Sequence, residues 1–264
     1  MLLVLKRDLE EINRQAALFI ASTIRKNASA TLGMATGSTV VGVYRELVRL
    51  HREEHLDFSR VVTFNLDEYL GLSPEHPESF HYFMQHNLFS HVNINPANIH
   101  IPDGTIRGDY EQHCASYEQA IRDAGGIDLQ ILGIGRNGHI GFNEPTSSIG
   151  SRTRLKVLRK ETIEDNRKLF APGEEIPQCA LTMGIGTILE ARRVLLVASG
   201  ASKAEAIAQS IEGPISSLLS ASALQLHPDV TFIVDEEAAS KLTQREYYDH
   251  VLKMTTLLTQ GRLM

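Results

Sequence analysis

The chain has 264 residues, of which 42% are hydrophobic and 22% charged, as in an ordinary globular protein with a sizeable core. A net charge of -6 and a pI near 6.0 argue against a protein that binds nucleic acid or an anionic membrane through a basic surface. Cys114 and Cys179 form neither a disulfide framework nor a zinc-site spacing, so we expect reduced thiols and a cytoplasmic location. No apolar run suits a signal peptide or a membrane span.

Short β-branched runs alternate with helical patterns along the whole chain. In order, the patterns predict strand 1–6, helix 8–26, strand 30–34, helix 39–53, strand 60–66, helix 78–90, strand 99–101, helix 108–124, strand 128–133, strand 193–198, helix 202–211, strand 230–234 and helix 236–257. Strands separated by helix-length segments indicate βαβ units in an α/β fold with a mainly parallel sheet. Without an internal repeat or a linker, residues 1–264 are predicted to form a single domain.

In such sheets, ligands bind at the carboxyl ends of the strands, in the loops that lead to helices. After the second strand, Gly37, Ser38 and Thr39 begin a helix, where backbone N–H groups and the helix dipole can bind a phosphate. A simple Ser/Thr helix cap is the alternative. After the strand at 193–198, Lys203 lies near a helix start, which is unfavourable for a cation unless an anion binds there.

Two further loops carry groups for acid–base chemistry. Asp67 and Glu68 follow the third strand and can act as a base or cap the next turn. The loop at 133–145 has four glycines within nine residues, together with His139 and Glu144, and such a loop lets the backbone approach a ligand closely. Because no clear helical pattern follows it, this glycine-rich loop does not indicate a dinucleotide site.

The histidine pairs and repeats of the chain do not indicate a metal site. His51 and His55 have the i, i+4 spacing of zinc-binding histidines, but Arg52 stands where a zinc protease has glutamate. His81, His86 and His91 recur every five residues, so they do not converge on one face of a helix. We therefore predict no metal.

Six segments together resemble the glucosamine-6-phosphate deaminase family over nearly the whole chain. They are Ala-Thr-Gly-Ser-Thr at 35–39, Phe-Asn-Leu-Asp-Glu-Tyr at 64–69, His-Pro-Glu-Ser-Phe at 76–80, the glycine-rich loop at 133–145, Ser-Arg-Thr-Arg at 151–154 and Leu-Gln-Leu-His-Pro at 224–228. The resemblance implies a Rossmann-like α/β fold, with helices on both faces of the sheet. It also implies conversion of glucosamine 6-phosphate and water into fructose 6-phosphate and ammonia.

The resemblance also implies roles for individual residues. Asp67 is expected to move the C2 proton to C1, and His139 to open the pyranose ring with support from Asn137 and Glu144. Some relatives have Asp in place of Asn137, so a neutral amide here replaces a carboxylate that would orient the imidazole.

The phosphate site of the family matches a second set of residues, namely Gly37, Ser38, Thr39 and Lys203. The family's further phosphate-binding Arg aligns with Lys168, next to Arg167, and either of these two side chains is expected to reach the phosphate.

The residues suit this chemistry. Ring opening needs a base near O1 and an acid near O5, and a histidine with a pKa of about 6.5 can serve as both. The enolamine that follows develops negative charge on O1, which backbone N–H groups of a glycine-rich loop can stabilise. No step needs a cofactor, so we expect none.

Two alternatives stay open on the sequence. A 6-phosphogluconolactonase has a similar loop but needs no C2 base, so the segment containing Asp67 counts against it. A sugar-phosphate-sensing regulator would resemble a fusion to an N-terminal helix-turn-helix, whereas here the first predicted strand starts at residue 1. For the deaminase we expect glucosamine 6-phosphate as a small-molecule substrate, no nucleic-acid or membrane partner, and a monomer or homo-oligomer.

Overall fold

The computed structural model describes residues 1–259. Its strands are β1 Leu2–Lys6, β2 Thr31–Met34, β3 Val62–Asn65, β4 Asp67–Tyr69, β5 Ile99–His100, β6 Leu129–Leu132, β7 Arg154–Val157, β8 Cys179–Thr182, β9 Val194–Ala198 and β10 Val230–Asp235. Its α-helices are α1 Leu9–Lys26, α2 Ser38–Glu54, α3 Phe80–Asn87, α4 Tyr110–Asp123, α5 Lys160–Arg167, α6 Ile185–Leu189, α7 Ala204–Ile211 and α8 Arg245–Thr259. Short 3-10 turns lie at Phe89–His91, Pro96–Asn98, Ala201–Lys203 and Ser220–Leu226.

Seven strands form the central sheet in the order β1-β10-β9-β6-β2-β3-β5. All neighbouring pairs in this sheet are parallel, which confirms the mainly parallel α/β fold expected from the sequence. Every residue of β2, β6 and β9 is buried, so both faces of the sheet are covered at its centre.

The helix α1 shows how the local sequence produces these elements. Asp8 caps its N-terminus by accepting a hydrogen bond of 2.9 Å from the backbone N–H of Glu11. Ile12, Ala16 and Ile20 recur at helical spacing and are fully buried, and α1 packs on α2 and on the sheet. Within residues 1–259, no helix is long and apolar enough to cross a membrane.

A second, antiparallel sheet of three strands, β4-β8-β7, was not predicted from the sequence. The residues of β4 were expected to be part of a loop, because three residues with two charges show no strand periodicity. The helix α5 was missed for a related reason, since it is short and mostly polar. The helix predicted at 236–257 begins only at Arg245.

Candidate active site

The ends of three neighbouring strands bring the predicted loops together. Met34, Leu132 and Ala198 are the last residues of β2, β6 and β9, which are adjacent and parallel, so the loops that follow all leave from one edge. A cleft of about 330 Å³ lies at these loops. It is lined by Ala35, Thr36, Gly37, Ser38, Thr39, Val40, Leu66, Asp67, Tyr69, Phe80, Gly133, Ile134, Gly135, Arg136, His139, Gly141, Phe142, Thr162, Asp165, Asn166, Leu169 and Lys203.

One end of the cleft is suited to an anion. Gly37 is the N-cap of α2, with a φ of 112° that favours glycine, and it has no side chain to occupy the first N–H groups of the helix. The first turn of α2 has no acidic residue. Ser38 and Thr39 add hydroxyl groups to the lining. The N-terminus of α2 therefore offers backbone donors, hydroxyl groups and the positive end of the helix dipole to a ligand.

Lys203 also lines the cleft, from the turn that follows β9. Its Nζ donates a hydrogen bond of 2.7 Å to the backbone carbonyl of Ile134, which holds the side chain across the glycine-rich loop. Burial and the nearby Arg136 lower the pKa of Lys203, while Asp165 acts in the opposite direction. A cation that is partly desolvated and next to another cation is stabilised by an anionic ligand.

Asp67 lies in β4 and is only 5% exposed. Burial, with a further contribution from the negative charge of Glu68, raises the pKa of Asp67 to about 8. The Thr182 hydroxyl and the Phe142 N–H act in the opposite direction through hydrogen bonding. A Cβ at Gly141 would lie 3.2 Å from the Asp67 Oδ2 atom, so glycine keeps this carboxylate uncrowded.

Glu68, the neighbouring carboxylate, has a different function. It accepts hydrogen bonds from the backbone N–H groups of Tyr69, Phe80 and His81, at 2.8, 3.0 and 2.9 Å. Two of these donors are in the first turn of α3, so Glu68 caps that helix. Of the two alternatives for the Asp-Glu pair, a base or a cap, Glu68 therefore matches the cap, and Asp67 remains the candidate base.

His139 lines the cleft from the glycine-rich loop, and its ring packs directly on Gly135. A Cβ at Gly135 would lie 2.4 Å from the Cε1 atom of the ring, so only glycine leaves room for it. The buried Nδ1 atom of His139 lies 3.6 Å from Glu144 Oε2. Burial lowers the pKa of His139 and the carboxylate of Glu144 raises it, with burial the larger effect.

Asn137 and Glu144 are brought to His139 but do not themselves line the cleft. Asn137 accepts a hydrogen bond of 3.1 Å from the backbone N–H of His139 and donates one of 3.2 Å to Glu144 Oε2. Glu144 is 1% exposed, and its Oε1 atom accepts a hydrogen bond from the Thr162 hydroxyl. The amide of Asn137 thus connects the backbone of the histidine to the buried carboxylate.

Lys168 lies outside the cleft lining. It is the C-cap residue of α5 and is exposed, as is Arg167, and neither contributes to the lining. Leu169, the next residue along the chain, does line the cleft. Lys168 would therefore need to reorient its side chain to reach a ligand in the cleft.

The sequence did not indicate the residues that α5 contributes, namely Thr162, Asp165 and Asn166. Asn166 donates a hydrogen bond of 2.7 Å to the Tyr69 hydroxyl. The Tyr69 ring packs against Phe80 and Phe142, at centroid distances of 4.9 and 5.3 Å. A polar eight-residue segment without periodicity gives no sign of these distant contacts. Within the part of the chain that the structure describes, no group of three or more His, Cys, Asp or Glu residues is placed to hold a metal.

Comparison with known proteins identifies close relatives. A deaminase of glucosamine 6-phosphate from Thermoanaerobacter pseudethanolicus is 49% identical over 246 residues, which cover 93% of this chain and 97% of the relative. A protein of the same name from Hahella chejuensis is 51% identical over 252 residues, covering 96% of this chain and 95% of the relative.

Solved structures show the same relationship. A monomeric glucosamine-6-phosphate deaminase is 47% identical to this chain, with a TM-score of 0.88. The match covers 91% of this chain and 100% of the deaminase chain. A 6-phosphogluconolactonase from Trypanosoma brucei is 19% identical, with a TM-score of 0.72 over 92% of this chain and 98% of its own, which is a likeness of fold alone. The family model for glucosamine-6-phosphate isomerases and 6-phosphogluconolactonase matches residues 7–231. The chain therefore belongs to this family.

Proposed function

We propose that the chain is a glucosamine-6-phosphate deaminase, which converts glucosamine 6-phosphate and water into fructose 6-phosphate and ammonia. The observation that carries this proposal is the buried Asp67 in a cleft that is also lined by His139, Lys203 and the N-terminus of α2. Relatives named for this activity at about half identity support it. The lactonases are more distant, and hydrolysis of a lactone needs no base at C2.

The phosphate of the substrate binds at the N-terminus of α2. Gly37 provides backbone donors, Ser38 and Thr39 provide hydroxyl groups, and Lys203 provides a positive charge. Lys168 contributes only when its exposed side chain turns toward the cleft. Binding energy from the phosphate, remote from the reacting carbons, holds C1 and C2 against the catalytic groups.

His139 opens the pyranose ring. Its imidazole accepts the proton of the O1 hydroxyl, the bond between C1 and O5 breaks, and the imidazolium returns the proton to O5. Burial keeps the pKa of His139 below its usual value, so the imidazole is neutral and basic before the reaction. The carboxylate of Glu144, 3.6 Å from Nδ1, stabilises the imidazolium that forms briefly.

Asp67 then transfers a proton between two carbons. Its carboxylate removes the proton from C2, next to the new aldehyde, and an enolamine forms whose O1 carries negative charge. Backbone N–H groups of the glycine-rich loop stabilise this charge. Asp67 returns the proton to C1, an N–H proton passes to O1, and a neutral ketimine is left at C2. Water adds to C2, the carbon–nitrogen bond breaks, and ammonia leaves. With a pKa of about 8, Asp67 can both accept and return a proton near neutral pH.

Release of ammonia from glucosamine 6-phosphate is the experiment that tests this function. Glucosamine serves as the control for the phosphate site, and 6-phosphogluconolactone as the rival substrate. We expect ammonia from the phosphorylated amino sugar alone. Equal turnover of glucosamine would contradict the phosphate site, and faster hydrolysis of the lactone would contradict the deaminase assignment.

We also infer that the protein is cytoplasmic and monomeric. The two free cysteines support the location, since disulfides are rare in that compartment. The related solved structure is described as a monomer. Light scattering of the purified protein across a range of concentrations tests the oligomeric state, and a mass of two or more chains would contradict this inference.

A further inference from the structure

The two oxygens of the Glu144 carboxylate have different partners. Oε1 accepts a hydrogen bond from the hydroxyl of Thr162, a residue of α5 that is 8% exposed. Oε2 accepts a hydrogen bond of 3.2 Å from Asn137 and lies 3.6 Å from His139 Nδ1. Thr162 is therefore in contact with the far side of the carboxylate that faces the histidine.

We infer that Thr162 is a positioning residue that holds the Glu144 carboxylate in the orientation that His139 needs for ring opening. This inference rests on the proposed function, because it assigns a role within that reaction. Thr162 does not touch the reacting atoms in this role and acts through Glu144.

Because Glu144 is buried, the hydrogen bond from the Thr162 hydroxyl contributes strongly to the orientation of its carboxylate. A carboxylate that is 1% exposed has no bulk water to replace a lost donor, so each protein donor matters to it. Hydrogen bonds to ionised groups are also stronger than those between neutral groups. Without the hydroxyl of Thr162, Asn137 is the side-chain donor that remains to this carboxylate within residues 1–259, and the carboxylate can pivot about that hydrogen bond away from Nδ1.

The negative charge of Glu144, 3.6 Å from Nδ1 and beyond hydrogen-bond distance, biases which nitrogen of His139 carries the proton. A carboxylate oxygen facing Nδ1 favours the tautomer with the proton on Nδ1. The Nε2 atom is then unprotonated and able to accept the proton of the O1 hydroxyl. Loss of the orientation allows the proton to move to Nε2, and that tautomer is not a base toward the substrate.

The helix α5 therefore contributes to the site in two ways. Thr162, Asp165 and Asn166 line the cleft, and Thr162 also reaches the carboxylate behind the histidine. A segment that the sequence patterns did not identify thus completes the set formed by His139 and Glu144.

The test compares three variants. Thr162→Val keeps the shape of the side chain but removes the hydroxyl, and Thr162→Ser keeps the hydroxyl. The matched control is Thr187→Val, because Thr187 is 2% exposed and its hydroxyl also donates to a buried glutamate, Glu118, at 2.6 Å. Thermal unfolding of each variant shows how much the loss of a buried hydroxyl destabilises the fold.

Nitrogen-15 NMR of histidine-labelled, ligand-free protein reports the tautomer of His139. The signal of this residue is assigned by its absence in the spectrum of His139→Gln. We expect Thr162→Val to increase the fraction protonated on Nε2. We expect its kcat for glucosamine 6-phosphate to fall about tenfold, with KM changed less than about threefold. Thr162→Ser should stay within about twofold of wild type, and Thr187→Val should leave the tautomer unchanged.

An unchanged tautomer in Thr162→Val, or an equal loss of kcat in Thr187→Val, would overturn the inference. If Thr162→Val does not fold, Thr162→Ala provides the same comparison with Thr162→Ser. The NMR measurement needs no substrate. A wild-type protein that releases no ammonia would therefore refute the proposed function, while the tautomer would still decide whether Thr162 orients Glu144.

Discussion

Replacing Asp67 by Asn should remove the catalytic base and at the same time stabilise the folded protein. Asn has nearly the same shape as Asp but carries no charge at any pH. Because Asp67 is 5% exposed and lies beside Glu68, its ionised form is unfavourable in the folded state. The variant therefore separates what the carboxylate does for the reaction from what it costs the fold.

The size of the stability effect follows from the pKa. Folding raises the pKa of Asp67 from 3.8 to about 8, so the folded state binds this proton more tightly than the unfolded chain. The free energy of unfolding therefore falls as the pH rises from about 4 to about 8, and this contribution is constant above that range. At pH 7 the effect is about 4 kcal/mol as an upper limit, at about 1.4 kcal/mol per pH unit.

The net gain in Asp67→Asn is smaller, because the amide still has to be buried and loses part of the hydrogen bonding with Thr182 and Phe142. We expect about 1–3 kcal/mol at pH 7, or a rise in Tm of about 2–6 °C for a chain of this size. The rate of ammonia release should fall by about 10²–10⁴ while substrate binding is retained.

The assay is thermal unfolding of wild type and Asp67→Asn between pH 4 and 9. Asp235→Asn is the matched control, because Asp235 is 6% exposed but accepts hydrogen bonds from the backbone N–H groups of Gly200 and Ala238. That control should be destabilised. A Tm difference between wild type and Asp67→Asn that does not change with pH would refute the reasoning, as would exchange of the C2 proton with solvent at the wild-type rate.

Three further predictions concern the rest of the cleft. Lys203→Ala should lower kcat/KM by about 30–1000-fold, as expected for the loss of about 2–4 kcal/mol from a charged contact. Lys168→Ala, at an exposed position, should change kcat/KM less than about threefold. Similar losses in both variants would place Lys168 at the phosphate. Gly135→Ala should displace the His139 ring and lower kcat about 100-fold or more without unfolding the protein, which circular dichroism checks. Glu144→Gln should lower the pKa of His139 further in an NMR titration, because it removes the charge that raises it, and an unchanged midpoint would contradict this assignment.

The sequence alone determined the parallel α/β sheet and the position of most of the cleft. Strand and helix periodicities are local patterns, and so are a glycine before a helix and a glycine-rich loop after a strand. Because parallel strands end at one edge, the loops that begin at Gly37 and Gly133 had to lie close together. His139, Glu144 and Asn137 are near one another in the chain, and their contact follows from one loop.

Only the tertiary structure decided which of the adjacent carboxylates faces the cleft. Asp67 does so because β4 pairs with β8, where Asp67 is opposite Thr182, while Glu68 turns to cap α3. The same holds for Thr162, whose contact with Glu144 depends on where α5 packs. These contacts join segments that are far apart in the chain. They are stabilised by burial and hydrogen bonding that form only when the whole fold has assembled, so no local pattern of residues predicts them.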